Sequence, residues 1–136
     1  MFVVLDANIL FKALIGRGNI LKLFFLDEID LLAPEFLFEE FEKHKYEIVE
    51  KGKVSVSELK SALSILEERI KLVLAEEIPL SLKHKAKILS PHEKDNAYFE
   101  VALRFNAAIL SDDKGFKKQS EIKIFTTEEL FNLLNE

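Results

Sequence analysis

Short strand-like runs alternate with stretches of helical periodicity, and this alternation restricts the chain more than any other feature. The runs are Phe2–Leu5, Leu31–Ala33, Ala107–Leu110 and Lys123–Phe125. FVVL is uninterrupted, as expected for a strand buried on both faces. Strands separated by helices predict an α/β fold with a parallel sheet flanked by helices. Residues 8–15 and 18–26 read as short helices broken at Gly16 and Gly18. Pro34 sits where a first helical residue is favoured, and the helix it opens runs to about Val49, with Gly52 marking its end. Ser55-Val-Ser-Glu58 is a capping box opening a long helix to about Leu74, read as an insert or arm. Ile78-Pro79 is expected to be a small edge strand, and residues 80–89 a helix. Ser90-Pro91-His92-Glu93 reads as a second capping box starting a helix to about Phe105, and Thr126-Thr-Glu-Glu129 as a third opening the last helix. The 136 residues, 49% hydrophobic and without repeats or low-complexity linkers, predict a single domain over 1–136.

Composition excludes several function classes. The chain has no Cys, which removes disulfides and thiolate metal sites and fits a reducing compartment. The N-terminal run carries Asp6 and has no basic region before it, so it reads as a strand and not a signal peptide. No stretch approaches the ~18 apolar residues of a membrane span. The expectation is a cytoplasmic protein with no membrane partner. Net charge is −5, from 19 Lys+Arg and 24 Asp+Glu. That argues against a general polyanion binder but leaves room for a local basic patch.

The acidic residues carry the chemistry. In open parallel sheets, ligands bind beyond the carboxyl ends of the strands. Asp6 follows the first strand directly, and Asp113 follows Ala107–Leu110 by three residues. Aspartate also ends strands and caps helices routinely, so either one alone has a plain structural explanation. Helical phase singles out two more. In the 34–49 helix, Leu37, Phe41 and Ile48 define the buried face, and at 100° per residue Glu40 lies about 80° from its centre, with Glu39 opposite it. In the 91–105 helix, Tyr98, Val101, Ala102 and Phe105 define the face, and Asp95 lies about 70° from its centre. A half-buried carboxylate is costly unless it is paired or on a metal. Four that converge without a matching cation would repel, raising their pKa values. A divalent ion relieves that repulsion, and all-oxygen ligation favours Mg²⁺ or Mn²⁺.

These pieces resemble a PIN domain over nearly the whole chain: VLDANIL with Asp6 and Asn8, APEFLFEEFEKH with Glu40, HEKDNAYFEVAL with Asp95, and ILSDDKGF with Asp113, followed by IFTTEELFNLL. The resemblance implies a three-layer α/β/α fold with about five parallel strands. It implies a ribonuclease site at the carboxyl edge using one or two Mg²⁺ or Mn²⁺ ions, with Asp6, Glu40, Asp95 and Asp113 as the acidic set. Asn8 matches a polar position supporting the first Asp, and Ser111 a usual Thr or Ser before the last acid. Asp112 stands where the family often has Asn, and adds a fifth carboxylate or shares the role of Asp113. Asp113 is preferred because the Lys-Gly-Phe after it fits the pattern. The resemblance also implies RNA as substrate and often a homodimer, for which Leu21, Phe24 and Phe25 offer apolar surface. Many members are toxins of VapC-type pairs with an antitoxin partner; others process ribosomal or messenger RNA. The long 55–74 helix and the Lys-rich 83–87 stretch are less typical of the compact toxin forms.

The mechanism expected is metal-assisted hydrolysis without a histidine base. His44, one turn after Glu40, reads as a core histidine or a second partner to a ligand; His84 and His92 read as exposed. Lys114, Lys117 and Lys118 follow the last acid and are candidates for substrate contact, as is the cluster Lys83, His84, Lys85 and Lys87. A haloacid-dehalogenase-like phosphatase needs a second Asp two residues after the first, where this chain has Asn8. A response-regulator receiver wants adjacent acids around the first strand. The remaining alternative is a PIN-like module that binds RNA or protein without catalysis.

Overall fold

The structure is a computed structural model describing residues 1–16 and 20–135. Five strands form one sheet: β1 (Phe2–Leu5), β2 (Asp30–Pro34), β3 (Ile70–Val73), β4 (Ala108–Leu110) and β5 (Ile124–Phe125). Their order is β3-β2-β1-β4-β5 and every pairing is parallel. The helices are α1 (Ala7–Leu14), α2 (Ile20–Leu23), α3 (Phe36–Gly52), α4 (Val56–Glu67), α5 (Leu80–Leu89), α6 (Asn96–Phe105) and α7 (Thr127–Leu134). The architecture is the expected three-layer α/β/α sandwich. One helical group, α5 and α6, packs together and lays α6 on β1, β2 and β4; another joins α1, α3 and α4.

The core follows from the strands. Val3, Val4, Leu5, Leu32, Ala33 and Ile109 are fully buried, the signature of parallel strands covered on both faces. β1 lies in the middle with β2 on one side and β4 on the other. The strand order reverses between β1 and β4, successive strands being added on one side of β1 up to β3 and on the other from β4, and such a switch point opens a crevice at the carboxyl ends. Asp6 leaves β1 there, and Ser111 to Asp113 leave β4 there.

Several elements differ from the sequence reading. The long helix ends at Glu67, and Ile70–Val73 forms the edge strand β3, paired to β2 from Leu31↔Ile70 to Pro34↔Val73. Ile78-Pro79 is not a strand: Ile78 closes a 3₁₀ turn over Ala75–Glu77, and Pro79 precedes α5. Pro34 ends β2, opposite Val73 of β3, instead of opening α3. The capping boxes at Ser55 and Thr126 form as expected. The one at Ser90 does not. Ser90 terminates α5, its hydroxyl contacts Asn96 and the His92 carbonyl, and a 3₁₀ turn over Glu93–Asp95 leads into α6. Gly18 and the start of the 18–26 helix lie outside the described residues; Ile20–Leu23 is helical and Gly16 takes a left-handed turn at φ +70°. No helix of the described residues is long and apolar enough to cross a membrane.

Candidate active site

Asp6 is the N-cap of α1: its Oδ1 accepts the Ile9 backbone N–H at 3.0 Å. Its other oxygen, Oδ2, accepts the Ser111 hydroxyl at 2.5 Å, and the Ser111 Oγ in turn accepts the Asp113 backbone N–H at 3.1 Å. One serine therefore ties the end of β4 to the end of β1. Asp6 and Ser111 are almost wholly buried, at 5% and 1% exposed. Burial raises the Asp6 pKa to about 6; the Ser111 and Ile9 bonds pull the other way, and the charges of Asp112 and Asp95 push it up further.

Asp95 precedes α6 and is also buried. Desolvation raises its pKa. Lys94 and His92 oppose the shift, while Asp113 and Glu40 add to it. Its Oδ2 has no hydrogen-bond partner among the described residues. Glu40 stands on the first turns of α3 with its side chain 17% exposed, whereas Glu39 is exposed, as helical phase requires. Asp6, Glu40, Asp95 and Asp113 line one cleft of about 260 Å³, walled by Phe11, Phe36, Tyr98 and Phe116, with Lys94 at its edge. Tyr98 packs edge-on against Phe36, centroids 6.1 Å apart. The four acids come from four separate segments, and the switch point between β1 and β4 is what brings their ends together.

The residues around this set behave differently. Asp112 does not line the acid cleft. Its carboxylate accepts from Lys12 Nζ at 2.9 Å and from the Thr127 backbone N–H at 2.8 Å, and these bonds hold its pKa below the ordinary value against its partial burial. It lines a neighbouring, larger groove of about 800 Å³ shared with Asn8, Phe11, His44 and Asp113. Asn8 lines both clefts but is exposed, and no hydrogen bond joins its side chain to Asp6 among the described residues. His44 sits between Glu40 at 3.3 Å and Glu47 at 3.4 Å, with its ring beside Phe11. His84 and His92 are exposed. Of the lysines expected at the substrate, Lys117 is engaged with Glu129 and Lys85 with Glu121, while Lys114 is exposed. Sequence reasoning missed Lys94 and the Tyr98 hydroxyl. Lys94 adjoins Asp95 in sequence, which was a usable signal; Tyr98 was assigned to the core face by its phase.

The donor set suits a hard divalent cation in kind: four carboxylates, all oxygen, with a buried orphan acceptor on Asp95 and two carboxyls held above their usual pKa. As placed, no three Asp, Glu or His side chains among the described residues are close enough to share one ion. An ion would therefore have to draw the carboxylates inward.

A family profile described as PIN domain matches residues 4–134. Among solved structures, PAE2754 from Pyrobaculum aerophilum superposes with a TM-score of 0.72 at 17% identity, covering 99% of this chain and 90% of that one. VapBC2 from Rickettsia felis, bound to a DNA fragment from their promoter, superposes with a TM-score of 0.68 at 18% identity, covering 93% of this chain and 98% of that one. At such identities the likeness establishes the fold alone. No curated protein matches.

Proposed function

The chain belongs to the PIN-domain family, and from that premise we propose that it is a single-domain, divalent-metal-dependent endoribonuclease hydrolysing phosphodiester bonds of single-stranded RNA. The observation that carries the reading is the pair of buried aspartates. Asp6 is held up to about 6 and Asp95 has an unpartnered oxygen, and among the described residues neither forms a salt bridge, although Lys94 lies near Asp95. Capping of α1 accounts for one oxygen of Asp6, but two costly buried carboxyls on one cleft are the pattern of a functional site.

Asp6, Glu40, Asp95 and Asp113 would hold Mg²⁺ or Mn²⁺. When bound, such an ion lowers the pKa of a ligated water to supply hydroxide near neutral pH and stabilises charge on the phosphate. The protein's own part is positioning. Ile9 and Ser111 each occupy one lone pair of Asp6, fixing its orientation and leaving further acceptor capacity on both oxygens. Ser111 also fixes the backbone at Asp113, so the first and last acids of the set move as a unit. Phe11 and Phe36 wall the cleft and give aromatic faces on which unpaired bases stack. Lys94 attracts phosphate, and Lys114 extends the basic rim; Lys117 contributes only after releasing Glu129. His44 is occupied by two glutamates and is given no role as a base. Asp112 is assigned to structure through Lys12 and Thr127 rather than to the ion.

The fold likeness to VapBC2 of R. felis supports the toxin half of a toxin–antitoxin pair, with an antitoxin protein as partner; the homodimer rests on the family resemblance alone. The test is cleavage of single-stranded RNA by wild type and Asp6→Asn, each with Mn²⁺ and with chelator. Cleavage is expected from wild type with Mn²⁺ alone, and the substitution should lower it at least ~100-fold. Cleavage that survives either the substitution or the chelator refutes the reading.

A further inference from the structure

Two buried side-chain polar atoms lack a hydrogen-bond partner among the described residues, and both belong to the same cleft: Asp95 Oδ2 and the Tyr98 hydroxyl. Tyr98 is 2% exposed. Its ring packs on Phe36 as a phenylalanine would, so packing does not account for the oxygen. Burying a hydroxyl whose donor is unmet is costly. Burial, and then the charges of Asp6, Glu40 and Asp95, hold the phenol above its usual pKa, while the Ala7 backbone N–H beside the oxygen opposes them; what has no partner is the O–H donor. A phenol brings its own proton to a cleft lined by carboxylate oxygens, so its free role there is that of a donor, and Phe36 fixes its ring.

Resting on the metal-nuclease reading above, we infer that Tyr98 is a positioning residue whose hydroxyl donates to an oxygen in the coordination sphere of the bound cation. It rewards the loaded state with a hydrogen bond that the empty cleft does not make. Its effect falls on cation affinity, and the empty protein bears the cost.

The chain makes the test direct, because it has two tyrosines and no tryptophan, and Tyr46 is 68% exposed. In a Tyr46→Phe background, Tyr98 is the sole phenol, and its band lies to the red of the phenylalanine absorption. Adding Mg²⁺ should give a saturable difference spectrum of that one phenol; no change at saturating Mg²⁺ overturns the inference. In parallel, Mn²⁺ affinity is read by paramagnetic resonance of the free ion. Tyr98→Phe should weaken Mn²⁺ binding about tenfold, the equivalent of one hydrogen bond to a charged group. Its metal-free melting temperature should be unchanged or higher. An unchanged Mn²⁺ affinity, or a lowered melting temperature with unchanged affinity, makes the hydroxyl structural and overturns the inference while the nuclease reading stands. A wild type that binds no Mn²⁺ removes that reading, and the inference falls with it. Should Tyr98→Phe fail to fold, the difference spectrum decides alone.

Discussion

Asp112 and Asp113 are neighbours in sequence with opposite circumstances. Asp112 is matched by Lys12 and by the amino end of α7, and its carboxyl sits below the ordinary value. Nearby, Lys117 and Glu129 form a second pair, with Glu129 held down to about 2. Asp113 instead caps the turn at Gly115 and lines the cleft with Asp6 and Asp95, both held up. One side of the β4 exit is electrostatically settled and the other is not. The contrast teaches that acidity by itself says little about a site. What distinguishes a site is acid left without a cation where burial makes that expensive.

The largest expected effect separates the two neighbours. Asp113→Asn should lower Mn²⁺-dependent RNA cleavage at least ~100-fold, whereas Asp112→Asn should stay within about threefold and show its effect in the unfolding midpoint instead. Equal losses in both would break the comparison. Next, Asp6→Asn should stabilise the metal-free protein at pH 7. The folded pKa of Asp6 lies above its ordinary value of 3.8, at about 6, so the fold binds the proton more tightly than the unfolded chain does. Its contribution is most favourable below pH 4 and is lost as pH rises through 6, reaching a deficit of about 3 kcal/mol at pH 7. Urea unfolding of wild type and variant should coincide near pH 4 and diverge towards pH 7. A constant difference across that range would show that ionisation of Asp6 is not the cause. The smallest effect sharpens the picture. Ser111→Ala removes a bond that lowers the Asp6 pKa, so carboxyl resonance titration should place Asp6 above about 6 in that variant, with a stability loss of about 1 kcal/mol.

Much of the fold was legible because buried parallel strands announce themselves. β1, β2, β4 and β5 fall within a residue or two of their expected positions. β3 was not legible. Leu59, Leu63, Leu66, Ile70 and Val73 keep helical spacing, and no Gly or Pro interrupts residues 55–74. Only the open edge of β2, a tertiary fact, recruits Ile70–Val73 into the sheet. The separation of Glu40 from Glu39 was legible, because phase alone decides it. The separation of Asp112 from Asp113 was not, since it depends on Lys12, 100 residues away, and on Thr127. The Tyr98 hydroxyl was hidden for a related reason: helical phase reports which face is buried but not what meets the atom at its tip.

The serine bridge between Asp6 and Ser111 spans 105 positions. During synthesis Asp6 is made 105 residues before the partner that fixes it. Domains generally fold as units during synthesis. Under the proposed reading, the acid set of the cleft is therefore incomplete on a nascent chain until Ser111 and Asp113 have joined it.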